Sequence, residues 1–335
     1  MSEQSAERKG STMQTRTLGN GLALTELGLG TAQFGNLYRE TTDAEAEGAF
    51  EAAWRAGIRY FDTAPHYGLG LSERRLGALL GRRNRDDFVL STKAGRLLVP
   101  NPGGDRHRDT DGGFDVPAST RRQWDFSADG IERSIEESLE RLGLDRIDIV
   151  YLHDPDDHGG PANDEALPAL LRLREAGVVT AIGAGMNQSA MPAEFIRRHD
   201  IDVVMLAGRY TLLEQGALAD LMPLAADRGV GVVIAGVYNS GLLSTDRPPA
   251  DAKYDYETAP AQLVARAHHI ADICDGYGVS LPDAAVAFPL RHPATVSVVV
   301  GGRTEEQVRG SVERYSKPIP EALWDDLQDQ GLIPR

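Results

Sequence analysis

Eight short runs rich in Val, Ile, Leu and Ala punctuate this chain, and longer stretches of helical period separate them. The runs predict strands at 27–30, 59–62, 88–92, 148–152, 181–183, 203–206, 232–235 and 296–300. Several carry no polar residue at all, such as Val203-Val-Met-Leu206 and Val232-Val-Ile-Ala235. A strand that is apolar on both faces is buried on both faces, as in a parallel sheet covered by helices. Helices are predicted at 43–56, 72–80, 127–142, 164–176, 190–197, 216–228, 260–277 and 305–315. In the first, Ala46, Ala49, Phe50, Ala53 and Trp54 share one face; Thr42 and Glu45 make a capping box, and Gly57 is a natural stop. Ile131, Ile135, Leu139 and Leu142 repeat the scheme before Gly143. Strand and helix alternating in this way predict a single-domain (β/α)8 barrel of the TIM type over residues 15–335. A doubly wound open sheet is the other arrangement that alternation allows.

Two connections exceed ordinary strand-to-helix turns. Residues 94–126 carry Pro100, Pro102, Gly103, Gly104, Gly112, Gly113 and Pro117, with Phe114 and Trp124 as aromatic inserts; residues 236–259 carry Tyr238, Tyr254 and Tyr256. Both follow strands, so in a barrel both lie on the C-terminal face, where chemistry is placed. The first is expected to wall a substrate pocket. Residues 1–14, beginning Met-Ser-Glu-Gln-Ser-Ala-Glu-Arg, are polar and are expected to form a flexible tail, with order beginning near Met13.

Fifty acidic against 35 basic residues give a formal charge of −15, which argues against a nucleic-acid or anionic-membrane surface. No apolar run approaches the roughly 20 residues that span a bilayer, and the N-terminus lacks an apolar signal core. The one cysteine, Cys274, cannot form an intramolecular disulfide and reads as a small buried hydrophobe. A reducing, cytoplasmic setting is the expectation.

Gly28-Leu-Gly30-Thr-Ala-Gln33 begins like a dinucleotide fingerprint, but Gln33 stands where the third glycine belongs. Tight turns at a strand end explain these glycines better. His66, His153, Asp154, Asp156, Asp157 and His158 include no metal-ligating helical spacing, and no metal is expected. More informative are ionisable residues at strand ends. Asp62 closes the second strand and Tyr67 follows it; Lys93 closes the third in Ser-Thr-Lys; His153 closes the fourth in Tyr-Leu-His. Each alone has an ordinary structural explanation, as cap, core filler or solvated charge. Together on adjacent strands they converge on one pocket.

These four residues resemble the Asp-Tyr-Lys-His tetrad of the aldo-keto reductases. The resemblance extends through the His153-Asp-Pro-Asp turn, Gly185-Met-Asn187 after strand five and Gly301-Gly-Arg-Thr-Glu-Glu-Gln307 after strand eight, from about Thr17 to Tyr315. His153-Asp-Pro-Asp-Asp157 and Ala207-Gly-Arg-Tyr210 are similar to the bacterial branch that oxidises L-fucose or D-threo-aldoses, with pyridoxal dehydrogenases close by. The resemblance implies that Tyr67 transfers a proton, that Lys93 lowers its pKa, that Asp62 holds Lys93, and that His153 orients the substrate oxygen. It implies a nicotinamide cofactor held by Gly30, Thr31, Asp62, Asn187, Leu242, Gly301, Gly302, Arg303, Gln307 and Ser311. NADP-preferring relatives carry Lys and Arg where this chain has Gly301 and Gln307, so NAD is the expected cofactor, with NADP possible. Thr304 and Gln307 read as a capping box opening a helix toward the cofactor.

Two departures stand out. Ala207 replaces the Gln that holds the carboxamide in many members, and Ala235-Gly-Val-Tyr238 replaces their Tyr-Ser-Pro-Leu. Either Tyr210 or Tyr238 is left to face the nicotinamide. The implied reaction is oxidation of an aldose at C1 to the lactone, the partner being a small sugar or aldehyde. Pyridoxal 4-dehydrogenation or general aldehyde and ketone reduction is the alternative. A non-catalytic cofactor-sensing subunit is a third reading, which the intact tetrad disfavours.

Overall fold

The computed structural model describes residues 13–110, 112–255 and 257–335. Residues 1–12 of the expected tail, Asp111, and Tyr256 of the second long connection lie outside the described residues. Met13 packs on the outer core, and the Gln14 N–H donates to Tyr315 at 3.4 Å.

Eight parallel strands close into one barrel: β1 (Leu27–Gly30), β2 (Tyr60–Asp62), β3 (Val89–Ala94), β4 (Ile149–His153), β5 (Ala181–Met186), β6 (Val203–Ala207), β7 (Gly231–Ala235) and β8 (Thr295–Gly301). β8 pairs with β1 and β3 with β4, so the open-sheet alternative falls. An antiparallel hairpin, Thr15–Thr17 with Ala23–Thr25, covers the bottom and adds Leu18 and Leu24 to the lumen core. A separate, larger core lies between the strands and the surrounding helices.

Local chemistry sets the helix ends. Thr42 and Glu45 exchange both bonds of the capping box, at 3.1 and 2.8 Å, before Asp43–Arg55. Ser127 caps Ala128–Leu142, which ends on Gly143 in the left-handed region. At the last helix of the barrel, Glu305–Ser316, Thr304 accepts the Gln307 N–H, but the Gln307 side chain accepts from Arg303 N–H at 2.8 Å. The expected reciprocal box is therefore half made, its second arm shifted by one residue.

Other segments depart from the sequence reading. The 216–228 stretch divides into a short 3₁₀ turn, Gly216–Ala219, and the helix Leu221–Arg228. Residues 164–176 open in a wide turn at Ala162–Ala166 before Leu167–Glu175. Helices Leu281–Ala287 and Glu321–Asp329 were not anticipated. Their apolar faces are short and close on the barrel only through tertiary packing, as at Leu323, Trp324 and Leu327. The 94–126 connection is sheet: Arg96–Pro100 pairs with Thr120–Trp124, and Arg108–Asp109 with Phe114–Pro117.

Candidate active site

Period-two alternation delivers the charged groups. Asp62, Lys93 and His153 lie at or near the C-terminal ends of β2, β3 and β4, and register sets Asp62 beside Ser91 and Tyr151 beside Lys93. Tyr67 sits on the turn after β2, whose Gly68 adopts φ +62; a Cβ there would lie 2.2 Å from the Gly35 carbonyl oxygen. Only glycine lets this turn lie against the turn after β1 and so hold the Tyr67 backbone.

The four sequence-predicted residues share one cavity of about 710 Å³, together with Gly30, Thr31, Asn187 and Gly301. Lys93 Nζ donates to Asp62 Oδ2 at 2.7 Å and to the Thr63 carbonyl at 2.9 Å, and it stands 4.7 Å from the centre of the Tyr67 ring. The His153 ring lies 6.0 Å from that of Tyr67 and perpendicular to it. Lys93 and Asp62 are each 3% exposed.

Burial is the largest influence on Tyr67, Lys93 and His153. It raises the pKa of Tyr67, against which Lys93 pulls down and Asp62 pushes up. Lys93 thus acts in the expected direction but does not prevail, because the phenolate is deprived of water. Burial would lower Lys93, yet Asp62 and Tyr67 hold it above its ordinary value. Burial, then Arg96, keeps His153 well below the ordinary histidine range. His66 is lowered to about 2 by burial and by Arg96 and Arg122. Both imidazoles are neutral, so the 3.6 Å approach of His153 Nε2 to Asp154 is a polar contact and not an ion pair.

Residues beyond the tetrad complete the wall. His66, weighed in the sequence only as a metal ligand, stands 5.5 Å from His153 between ring centres. Asp154, held at φ +44 and paired with Arg96, lines the cavity too. From the 94–126 connection come Thr110, Gly112, Gly113 and Phe114. Trp124 does not join them; it lies 44% exposed, with Arg96 over its ring.

Two further cavities adjoin, of about 660 and 1210 Å³, and Gln33 and Gly301 line all three. Gln307 and Ser311 line the outermost. Three other expected cofactor contacts line none of them. The Leu242 side chain is wholly buried and Gly302 is covered. The Arg303 guanidinium is taken up by the carbonyls of Arg39 and Leu37, at 3.0 and 2.5 Å, and by the Thr41 hydroxyl. Tyr238 lines the two outer cavities, whereas Tyr210 packs against Phe288 in the core. Among the described residues, no group of three or more His, Cys, Asp or Glu could hold a metal ion. No described helix is long and apolar enough to cross a membrane.

Residues 26–330 match the family model for the aldo/keto reductase family. The chain belongs to that family. This aldo/keto reductase is 51% identical to D-threo-aldose 1-dehydrogenase of a Pseudomonas species, over 94% of this chain and 96% of that protein. It is 40% identical to pyridoxal 4-dehydrogenase of Microbacterium luteolum, over 96% and 98%. An aldo-keto reductase from Bacillus halodurans, solved in its holo form, superposes with a TM-score of 0.75 at 26% identity, over 95% of this chain and 96% of that one. The chain is an oxidoreductase that uses a nicotinamide cofactor. Its residues fit such a group: Gly30, Thr31, Asn187, Gly301, Gln307 and Ser311 line these adjoining cavities, and where the three meet a Cβ at Gly301 would stand 2.5 Å from the Gln33 side chain.

Proposed function

We propose that this aldo/keto reductase oxidises an aldose at C1 to the lactone, with NAD as its preferred cofactor. The observation that carries the reading is the polarity of the catalytic wall. His66, His153, Asp154 and Thr110 line one cavity with Tyr67. Sugar hydroxyls can pair with these polar side chains, whereas an apolar aldehyde would strip them of water and leave them unpaired, at about 1–3 kcal/mol each. The 51% relative, named for the same reaction, supports it.

In this reading Tyr67 accepts the proton of the anomeric hydroxyl. Lys93, kept charged by Asp62, favours the phenolate that does so. His153, neutral, hydrogen-bonds the same oxygen and aims the C1–H bond. Gly30, Thr31, Asn187, Gly301, Gln307 and Ser311 hold the cofactor, with Gln33 and Tyr238 added by the geometry. When bound, the nicotinamide supplies the hydride acceptor. Glu305, Glu306 and Glu313 line the outermost cavity beside Arg309 and Arg314, a balance that disfavours an added 2′-phosphate. Pyridoxal oxidation is the second reading, favoured by the 40% relative.

The test is a steady-state screen of L-fucose, other aldoses, pyridoxal and simple aldehydes, each with NAD and NADP. The highest kcat/KM is expected for an aldose with NAD. Pyridoxal ahead of every aldose would replace the substrate assignment. A preference for NADP of tenfold or more, about 1.4 kcal/mol, would reverse the cofactor assignment.

A further inference from the structure

Below the tetrad, the barrel lumen holds three hydroxyls where such barrels ordinarily stack branched apolar side chains. Each lies two residues before a catalytic one on the same strand, hence on the same face: Tyr60 before Asp62, Ser91 before Lys93 and Tyr151 before His153. All three are wholly buried. Gly28 makes room for them, since a Cβ there would stand 2.8 Å from the Tyr60 ring.

Their hydrogen bonds run in one direction. Asp62, paired with Lys93, only accepts, so Ser91 Oγ donates its one hydrogen to Asp62 Oδ1 at 2.7 Å. The Phe61 carbonyl, at 3.5 Å from that oxygen, competes poorly. The Tyr60 hydroxyl must then donate to Ser91, at 3.1 Å, and the Tyr151 hydroxyl to Tyr60, at 3.0 Å. Every O–H dipole in the chain points its positive end at the Asp62 carboxylate.

We propose that Tyr151, Tyr60 and Ser91 form a polarised hydroxyl chain that positions Asp62 from beneath and sets the basicity of Tyr67 through Lys93. The proposal rests on Tyr67 being the acid–base group. Dipoles aimed at Asp62 offset part of its negative charge, leaving more of the Lys93 field for the phenolate. Without them Tyr67 keeps its proton to higher pH. The other charged and titratable groups around Tyr67 are His66, His153, Asp154 and Arg96, and none of them bonds to the chain.

The experiment is the pH profile of kcat for oxidation at saturating cofactor, with L-fucose or the best substrate of the screen. The double variant Tyr60→Phe/Tyr151→Phe removes both phenolic hydroxyls together, so neither is left stranded, and it keeps the ring volumes. Its acid limb is expected to move up by about half a pH unit or more, a roughly threefold loss on the limb with the alkaline plateau retained. The KM for cofactor should not change. Ser91→Ala, which strips the last donor from Asp62 Oδ1, should move the limb at least as far, and it carries the test should the double variant fail to fold. An unmoved limb in a folded variant overturns the proposal, as does a loss equal at all pH values. Tyr67→Phe is the control: if it retains turnover, the assignment of Tyr67 fails, and the chain falls with it. If it is inactive while the limb stays put, the chain alone fails.

Discussion

Tyr67 occupies a site where burial and a neighbouring cation oppose each other, and burial prevails in the protein as described. The phenol therefore stays protonated through neutral pH, ready to donate when a carbonyl is reduced. Oxidation needs the other form. Its rate should rise with pH as the phenol ionises, while reduction falls along the same limb, which profiles of kcat in both directions would reveal. Tyr67→Phe keeps the ring and removes the oxygen proposed to move the proton. Turnover should drop by about 10²–10⁴-fold while cofactor binding, followed by quenching of protein fluorescence, is retained. Near-normal turnover would move the acid–base role to another residue.

Among the elements, the 96–124 hairpin decides the shape of the catalytic pocket. Ion pairs fasten it, among them Arg96 to Asp154 and Arg122 to Asp109 at 2.5 Å, with Arg122 also donating to the His66 carbonyl at 2.9 Å. Its inner part brings Thr110, Gly112, Gly113 and Phe114 to the cavity, and none of these four reaches the outermost one. Shortening the chain between Asn101 and Val116 should shift the relative kcat/KM values across aldoses by about tenfold or more, with a smaller effect on the KM for cofactor. An unchanged substrate profile would show that the hairpin is only a cover. Arg303 belongs to this scale as well. It ties the turn after β8 to residues 37–41, and Leu37 bridges to Phe114, so that turn and the pocket wall share one strut.

At the scale of the whole molecule, stability and chemistry occupy opposite ends of the barrel. The bottom is closed by the N-terminal hairpin, whose Leu24 is wholly buried in the lumen with Ile149, Val203 and Val233. Leu24→Ala should lower unfolding stability by about 2–5 kcal/mol, read as a shift in the denaturant midpoint. The folded variant should keep its kcat, because the tetrad lies at the far end. Loss of kcat without loss of stability would contradict this division.

The strand order, the helix caps and the tetrad were legible in the sequence because each rests on local spacing. Period two places Asp62, Lys93 and His153 on strand ends, and capping residues such as Thr42 and Ser127 act within a few positions of themselves. Strands 96–100 and 120–124 were not legible, since their alternation is weak and their pairing joins residues twenty or more positions apart. The partners of Arg303 at 37–41 were not legible for the same reason, since they come to it only when β8 closes against β1. Sequence alone determined which residues could do the chemistry. Tertiary structure decided which of their atoms remain unpaired, because burial and the partners it brings depend on contacts far apart along the chain.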